Sequence, residues 1–245
     1  MNLKLKLLFG AIYFICFFTL IFIFLHNFDF KDLVDLNFFK NNQQILNNFK
    51  LKNTFLLLIY FSIFSIIWIF FLGFASPLIL LSGFIFGKWL GTLIAVISFS
   101  IGCTLLYWSA NFFFKEFIKE FIRKKLSIKV EKFINLFNKN DFLYFILFRF
   151  TGAGLPFVIQ NVLPVIFDMR LKNYFFATLL GLIPGVFIIT SLGAGVGNFI
   201  NKNDSIQLVN LIKDPEIYMP IFIFILVLII STYINKFLFS KQLSK

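Results

Sequence analysis

The chain has 245 residues, of which 60% are hydrophobic, 21% aromatic and only 14% charged. That balance excludes a soluble globular domain. It leaves an all-α polytopic membrane protein with room for a handful of membrane segments and no separate soluble domain. The formal charge of +12 points to basic cytoplasmic loops facing anionic lipid, not to nucleic acid. Phe, Ile, Asn and Lys are abundant together, which also fits an AT-rich coding sequence and discounts part of the lysine excess. Cys16 and Cys103 lie in apolar runs without metal-ligand spacing, and His26 is the sole histidine. No metal site, cofactor or His-based triad is expected.

In chain order, a short basic start is followed by an unbroken apolar run at 7–25. It is too long for a signal-peptide core and no small-x-small site follows, so it reads as a retained transmembrane helix with a cytoplasmic N-terminus. Residues 26–53 are polar, with Asp29, Asp32 and Asp35 against Lys31, Lys40, Lys50 and Lys52. The spacing of Phe30, Leu33, Val34 and Phe38 predicts a short surface helix there. The run 55–75 is long enough to span but breaks at Ser76 and Pro77; 77–89 and the full-length run 90–114 follow. Gly83, Gly87 and Gly91 recur every four residues, which on one helix puts all three on roughly one face, suited to close backbone approach. From Phe114 to Lys139, apolar residues at i, i+3 and i+4 alternate with eight basic ones at 115–139. This predicts a basic amphipathic helix lying in the membrane interface and meeting anionic headgroups.

The run 142–167 is apolar enough to enter a bilayer, yet it carries Arg149, Gln160 and Asn161. Gly152, Gly154 and Pro156 fall within five residues of one another, so a straight helix there is poorly sustained. An arginine at membrane depth is costly and belongs against protein or a wet cavity, and broken backbone needs the same shelter. A re-entrant segment lining a polar site meets both demands; a broken lipid-facing helix with a snorkelling arginine is the plainer alternative. Pro164 and the group Asp168, Arg170 and Lys172 mark a return to the surface. The run 174–199 contains Gly181, Pro184, Gly185, Gly193, Gly195 and Gly197, 201–218 is a polar loop, and 220–238 is the last span.

Charge decides the expected topology. With the N-terminus inside, a complete crossing at 55–75 leaves the basic region 115–139 outside, against the positive-inside bias. Treating 55–89 as one helical hairpin from the outer face puts that region, and the C-terminal lysines, in the cytoplasm. The expected architecture is four spanning helices and two facing re-entrant hairpins, 55–89 and 142–167. It is an inverted repeat of the kind that builds transporter sites near the midplane. The domain limits that follow are 1–54 (first helix and polar loop), 55–200 (membrane domain with both hairpins) and 201–245 (loop and last helix).

Three motifs in order, Gly83 to Gly91 around Phe84-Ile85-Phe86-Gly87, Arg149 to Asn161 through Leu155-Pro156-Phe157, and Phe175 to Gly193 through Thr178, Gly181, Pro184 and Gly185, resemble the VTT domain. This is the SNARE-associated Golgi protein family within the DedA superfamily, and the similarity covers roughly 55–200. The resemblance implies the two facing hairpins and a role in membrane lipid homeostasis, by lipid scrambling or movement of lipid-linked phosphates, in a bacterial inner membrane. It also implies that Arg149, Pro156 and Asn161 are site residues on the second hairpin, with Pro77, Gly83 and Gly87 their counterparts on the first. The chain departs from the family where Thr151 and the glycines stand in place of a proline after the arginine. It also lacks the glycine usual a few residues after Asn161. No Asp or Glu occurs between Asp35 and Glu116 or between Asp141 and Asp168, so carboxylate-based proton coupling is not expected.

The leading expectation is a translocator or scramblase of a phospholipid or lipid-linked phosphate, with Arg149 as phosphate ligand and Gln160 and Asn161 brought back towards it by the hairpin. The alternatives are a secondary transporter of a small solute or ion, and a non-transporting structural protein in which Arg149 pairs with a carbonyl or with Asp168. An enzyme is not expected, since the apolar segments hold no nucleophile–base pair. For the basic helix, replacing Arg123, Lys124 and Lys125 by glutamine should weaken binding of the 115–139 peptide to anionic vesicles by about 1 kcal/mol per charge at low salt. The difference should shrink as salt rises; an unchanged, salt-insensitive affinity would count against it.

Overall fold

The computed structural model describes residues 36–117, 120, 137, 140–151, 155–202 and 213–243, with isolated positions between 15 and 26. The expected first span at 7–25, nearly all of the basic helix at 115–139 and most of the polar loop at 201–218 lie outside the described residues. The elements are α1 (Leu36–Leu72), α2 (Ser76–Phe113), α3 (Asp141–Thr151), α4 (Phe157–Val162), a 3-10 turn (Leu163–Phe167), α5 (Leu171–Lys202) and α6 (Pro215–Leu243). No strand occurs among the described residues. Among the described residues, three stretches are long and apolar enough to cross a membrane: Asn53–Leu72, Ser76–Phe113 and Leu171–Ile200.

The breaks are local and have local causes. α1 is interrupted at Asn53, whose φ of −143° and ψ of 44° are not helical. It ends where Gly73 adopts a φ of 68° and donates its N–H to the Ile69 carbonyl at 3.0 Å, the left-handed C-terminal cap that glycine takes at no steric cost. The Trp68 indole N–H satisfies the Phe74 carbonyl at 2.9 Å. Pro77, in the first turn of α2, occupies the position where a missing N–H is harmless. At Gly87, φ 78° and ψ 172° lie in a region that only glycine enters freely.

These two points fold the chain back twice. Phe61 and Phe86 meet ring to ring at 5.3 Å, so the first limb of α2 runs back along α1. Beyond Gly87 the chain reverses again: a Cβ on Gly91 would lie 2.6 Å from the Ser82 carbonyl oxygen, whereas nine residues of unbroken helix span about 13 Å. The three glycines therefore do not share one helix face as their spacing had implied. Gly83 and Gly91 are close-packing positions on two antiparallel limbs, and Gly87 is the bend between them. Asn53–Leu72, expected as one limb of a hairpin, is 20 residues long, about 30 Å of helix.

The second limb of α2 runs antiparallel to α5. Thr92 meets Thr190, hydroxyl to hydroxyl at 2.6 Å, and Tyr107 stacks on Tyr174 at 4.4 Å. Ala95, Val96, Phe99, Cys103, Leu106, Tyr107 and Ala110 are buried, the 3.6-residue stripe of a helix packed on one side. α5 stays a single helix despite Pro184 and its glycines. Those glycines instead admit neighbouring backbone: a Cβ on Gly193 would strike the Leu80 carbonyl and one on Gly195 the Glu216 carbonyl. α3 is capped by Asn140, whose Oδ1 accepts the Leu143 N–H at 3.1 Å. α6 is capped by Asp214, whose Oδ1 accepts the Glu216 N–H at 2.8 Å, with Pro215 next in the chain.

The glycines of α5 separate into two kinds, and substitution should tell them apart. Gly193→Ala should lower stability in detergent by about 1–3 kcal/mol through overpacking against Leu80. Gly185, where an added Cβ meets nothing within 4 Å, should tolerate alanine and gain up to about 1 kcal/mol of helix propensity. Equal melting temperatures for the two variants would mean that the limbs do not approach this closely.

Candidate functional site

Arg149 closes the last turn of α3 and is 5% exposed. Its Nη2 donates to Asn161 Oδ1 at 2.7 Å, to the Tyr174 hydroxyl at 2.8 Å and to Thr178 Oγ1 at 3.4 Å. Its Cζ lies 4.9, 5.2 and 5.6 Å from the ring centres of Phe145, Phe157 and Tyr174, within the range of cation–π attraction. Cys103, fully buried on α2, lies within electrostatic reach of the same guanidinium.

The geometry follows from how the elements meet. Pro156 caps α4 with an extended backbone, and α4 lies so that Asn161 comes opposite Arg149. Tyr174, Thr178 and Gly181 recur at i, i+4 and i+7 and so share one face of α5. A side chain at Gly181 would press on Arg149 itself, its Cβ falling 2.5 Å from the Arg149 Cβ. Tyr174 passes the network on by donating to the Asn161 carbonyl at 3.2 Å, and Asn161 Nδ2 reaches the Gly73 carbonyl at 3.5 Å. The bend that ends α1 is thereby tied to α4.

Every acceptor around Arg149 among the described residues is neutral. Among the described residues no carboxylate pairs with it; Asp168, offered from the sequence as a partner, instead binds Lys115 at 2.7 Å. Asp168 adopts a φ of 53° and so performs the left-handed turn for which the sequence lacks a glycine. The Nε and Nη1 groups of Arg149 are buried without a hydrogen-bond partner among the described residues.

Of the residues singled out from the sequence, Arg149 and Asn161 are brought together. Gln160 is buried beside them, but its Nε2 donates to the Leu155 carbonyl at 2.7 Å and not towards Arg149. Pro156 and Pro77 are exposed positions that start helices. Gly83 and Gly87 lie elsewhere, in the wall of a cavity of 680 Å³ shared with Lys88, Phe187, Asn198 and Glu216. These residues therefore fall in two separate regions and not one. Sequence reasoning missed Tyr174, Thr178, Cys103 and the Gly73 carbonyl. For the pair on α5 a signal existed: two hydroxyls and Gly181 at helical spacing in an otherwise apolar run.

The VTT domain matches residues 73–195, half of the chain. Over 114 residues the chain is 29% identical to the uncharacterized protein YqeD of Bacillus subtilis (strain 168), covering 46% of this chain and 53% of that protein. The chain thus spans about half the length of this curated relative. No solved structure matches it. The matched stretch takes in Gly73, Gly83, Gly87, Cys103, Arg149, Asn161, Tyr174 and Thr178, together with Ser76–Phe113 and most of Leu171–Ile200. On that ground the chain belongs to the VTT-domain family of the DedA superfamily and is an integral membrane protein.

Proposed function

We propose that the chain moves a phospholipid or lipid-linked phosphate across the bilayer, with Arg149 as the phosphate ligand. One observation carries this: a buried guanidinium which, among the described residues, has neither a hydrogen-bond partner for its Nε and Nη1 donors nor an ion pair. A guanidinium offers five N–H donors in a planar fork suited to phosphate oxygens. Leaving buried donors unmet costs roughly 1–3 kcal/mol each, and an uncompensated charge in an apolar bundle costs more. An anionic oxygen pair relieves both. Asn161 holds the guanidinium from the neutral side, while Gln160 and Pro156 shape the limb that carries it.

The same reading takes the helical reversals as re-entrant hairpins facing each other from opposite leaflets, an inverted repeat with four spanning helices. The bends at Gly73 and Gly87 and the Asn161–Gly73 contact support it. Both termini are placed in the cytoplasm of a bacterial inner membrane. The chain acts as a translocator and not as an enzyme, and its carboxylate-free hairpins argue against proton coupling through them.

A second reading has its own support. Nη2 is fully engaged and three aromatic rings surround the charge, which is also how an arginine clamps helices together. Two variants separate the readings. If Arg149 takes phosphate, Arg149→Lys keeps the charge but loses the fork, so lipid movement in liposomes should fall while the melting temperature holds; Arg149→Ala should abolish movement. If it is a clamp, the alanine variant should melt earlier, with any loss of movement following from that. Stable variants that move lipid normally would remove Arg149 from the site.

Orientation is tested separately. Cysteines at Lys124 and Lys241 should react with impermeant reagents from the cytoplasmic side, and those at Asn203 and Lys88 from outside. Cytoplasmic labelling at Lys88 would sink the hairpin assignment even with the family established.

A further inference from the structure

Arg149 leaves a ligand a restricted set of donors. A guanidinium can grip two oxygens along either of two edges, Nε with Nη2 or Nη1 with Nη2. Nη2 belongs to both edges, and its two protons face Asn161 Oδ1 at 2.7 Å, the Tyr174 hydroxyl at 2.8 Å and Thr178 Oγ1 at 3.4 Å. The donors without a partner among the described residues, Nε and Nη1, therefore lie on different edges. An anionic oxygen arriving at either one comes to rest beside an oxygen that Nη2 already holds.

We infer that Tyr174 completes the site: its phenol turns its proton from the Asn161 carbonyl to an oxygen of a singly charged phosphate held on Arg149. The inference rests on the phosphate reading above and adds to it a second donor and the charge of the ligand. Asn161 keeps its Nδ2 group towards the Gly73 carbonyl, so beside Oδ1 an incoming anion meets an acceptor with no proton to offer. Beside a hydroxyl it meets a group that can reverse its role and donate. Of the two hydroxyls on Nη2, Tyr174 is the nearer, and a phenol donates more strongly than an alcohol. Its proton is directed to the Asn161 carbonyl at 3.2 Å, longer than the usual O–H···O distance of about 2.7–2.8 Å. Little is lost when it leaves, and a bond to an anionic oxygen is roughly twice as strong as a neutral one.

The ring need not move for this. Tyr174 is fully buried and stacks on Tyr107 at 4.4 Å and on Phe145 at 5.0 Å. Stacking fixes the phenol oxygen and leaves the O–H torsion free to turn. The ligand's charge follows from the same inventory. Arg149 brings one positive charge, the oxygens on Nη2 are neutral, and no charged residue lies between Arg149 and Asn161 in the sequence. One negative charge cancels the guanidinium, whereas a doubly charged phosphate leaves a net charge buried in apolar surroundings.

The test measures binding to the full-length chain in detergent by titration calorimetry, with protein-free micelles as the blank. The probes are dihexyl phosphate, which carries one charge at neutral pH, and hexyl phosphate, which gains its second charge near about pH 6. Tyr174→Phe keeps the stacked ring and should weaken dihexyl phosphate by about tenfold or more, the loss expected for a hydrogen bond to a charged group. Putting 3-fluorotyrosine in place of Tyr174 makes the phenol a stronger donor and a weaker acceptor, so dihexyl phosphate should bind more tightly than to wild type. Unchanged or weaker binding there would mean that the hydroxyl serves only to accept from Arg149, and would overturn the inference. Hexyl phosphate should bind more tightly at about pH 5 than at about pH 8, while dihexyl phosphate binds equally at both. Equal or tighter binding of hexyl phosphate at the higher pH would overturn the single charge. Wild-type affinity in Tyr174→Phe with weakened binding in Arg149→Lys would leave the Arg149 reading standing and end this one. Wild-type affinity in Arg149→Lys would remove the reading beneath it.

Discussion

A guanidinium buried without a carboxylate partner among the described residues is the constraint around which the structure is arranged. In an apolar bundle such a charge is tolerated only where neutral dipoles and aromatic faces replace water. Asn161, Tyr174 and Thr178 supply the dipoles, and Phe145, Phe157 and Tyr174 the faces. They come from three different helices, so α3, α4 and α5 cannot separate without stranding the charge. Through Asn161 and the Gly73 carbonyl, the end of α1 is held in the same arrangement.

Packing elsewhere relies on absent side chains. Helices in lipid gain no hydrophobic drive from meeting one another, so dispersion at short range must hold them. At Gly83 the first limb of α2 meets the Thr190 backbone, at Gly193 α5 meets Leu80, and at Gly102 the second limb of α2 meets Ile66 and Ile69. The hydroxyls of Thr92 and Thr190 then bond across the contact. Each of these is a place where one added carbon forces backbones apart.

What the sequence revealed divides along physical lines. Backbone events with local causes were legible: the proline after Ser76, the break in the 142–167 run, and the return near Asp168. The neighbourhood of Arg149 and Asn161 was legible too, because a charge and a carboxamide in an apolar run demand each other. The shared face of Gly83, Gly87 and Gly91 was misjudged, since spacing assumes an unbroken helix and Gly87 breaks it. Tyr174 and Thr178 were not assigned to the site because nothing local says which face of α5 meets α3. The separation of Gly83 and Gly87 from Arg149 is likewise a matter of which helices neighbour which. Glu216 reads as part of a polar loop and becomes part of a cavity wall only once α6 is docked on α5.

Pro184 and Gly185 lie between the two polar regions that α5 joins. Proline has no N–H, so the Leu180 carbonyl loses its partner one turn back. Beside it, Gly185 has no neighbour within reach of an added Cβ. Flexing α5 at that level breaks no ladder bond at the proline and disturbs no packed side chain at the glycine, whereas flexing it at Gly181 or Gly193 drives backbone into backbone. Helix kinks gather at such sites. Mechanically, α5 is two stiff rods in series with a soft joint between them: one rod is fastened to the buried charge, the other to the wall of the cavity.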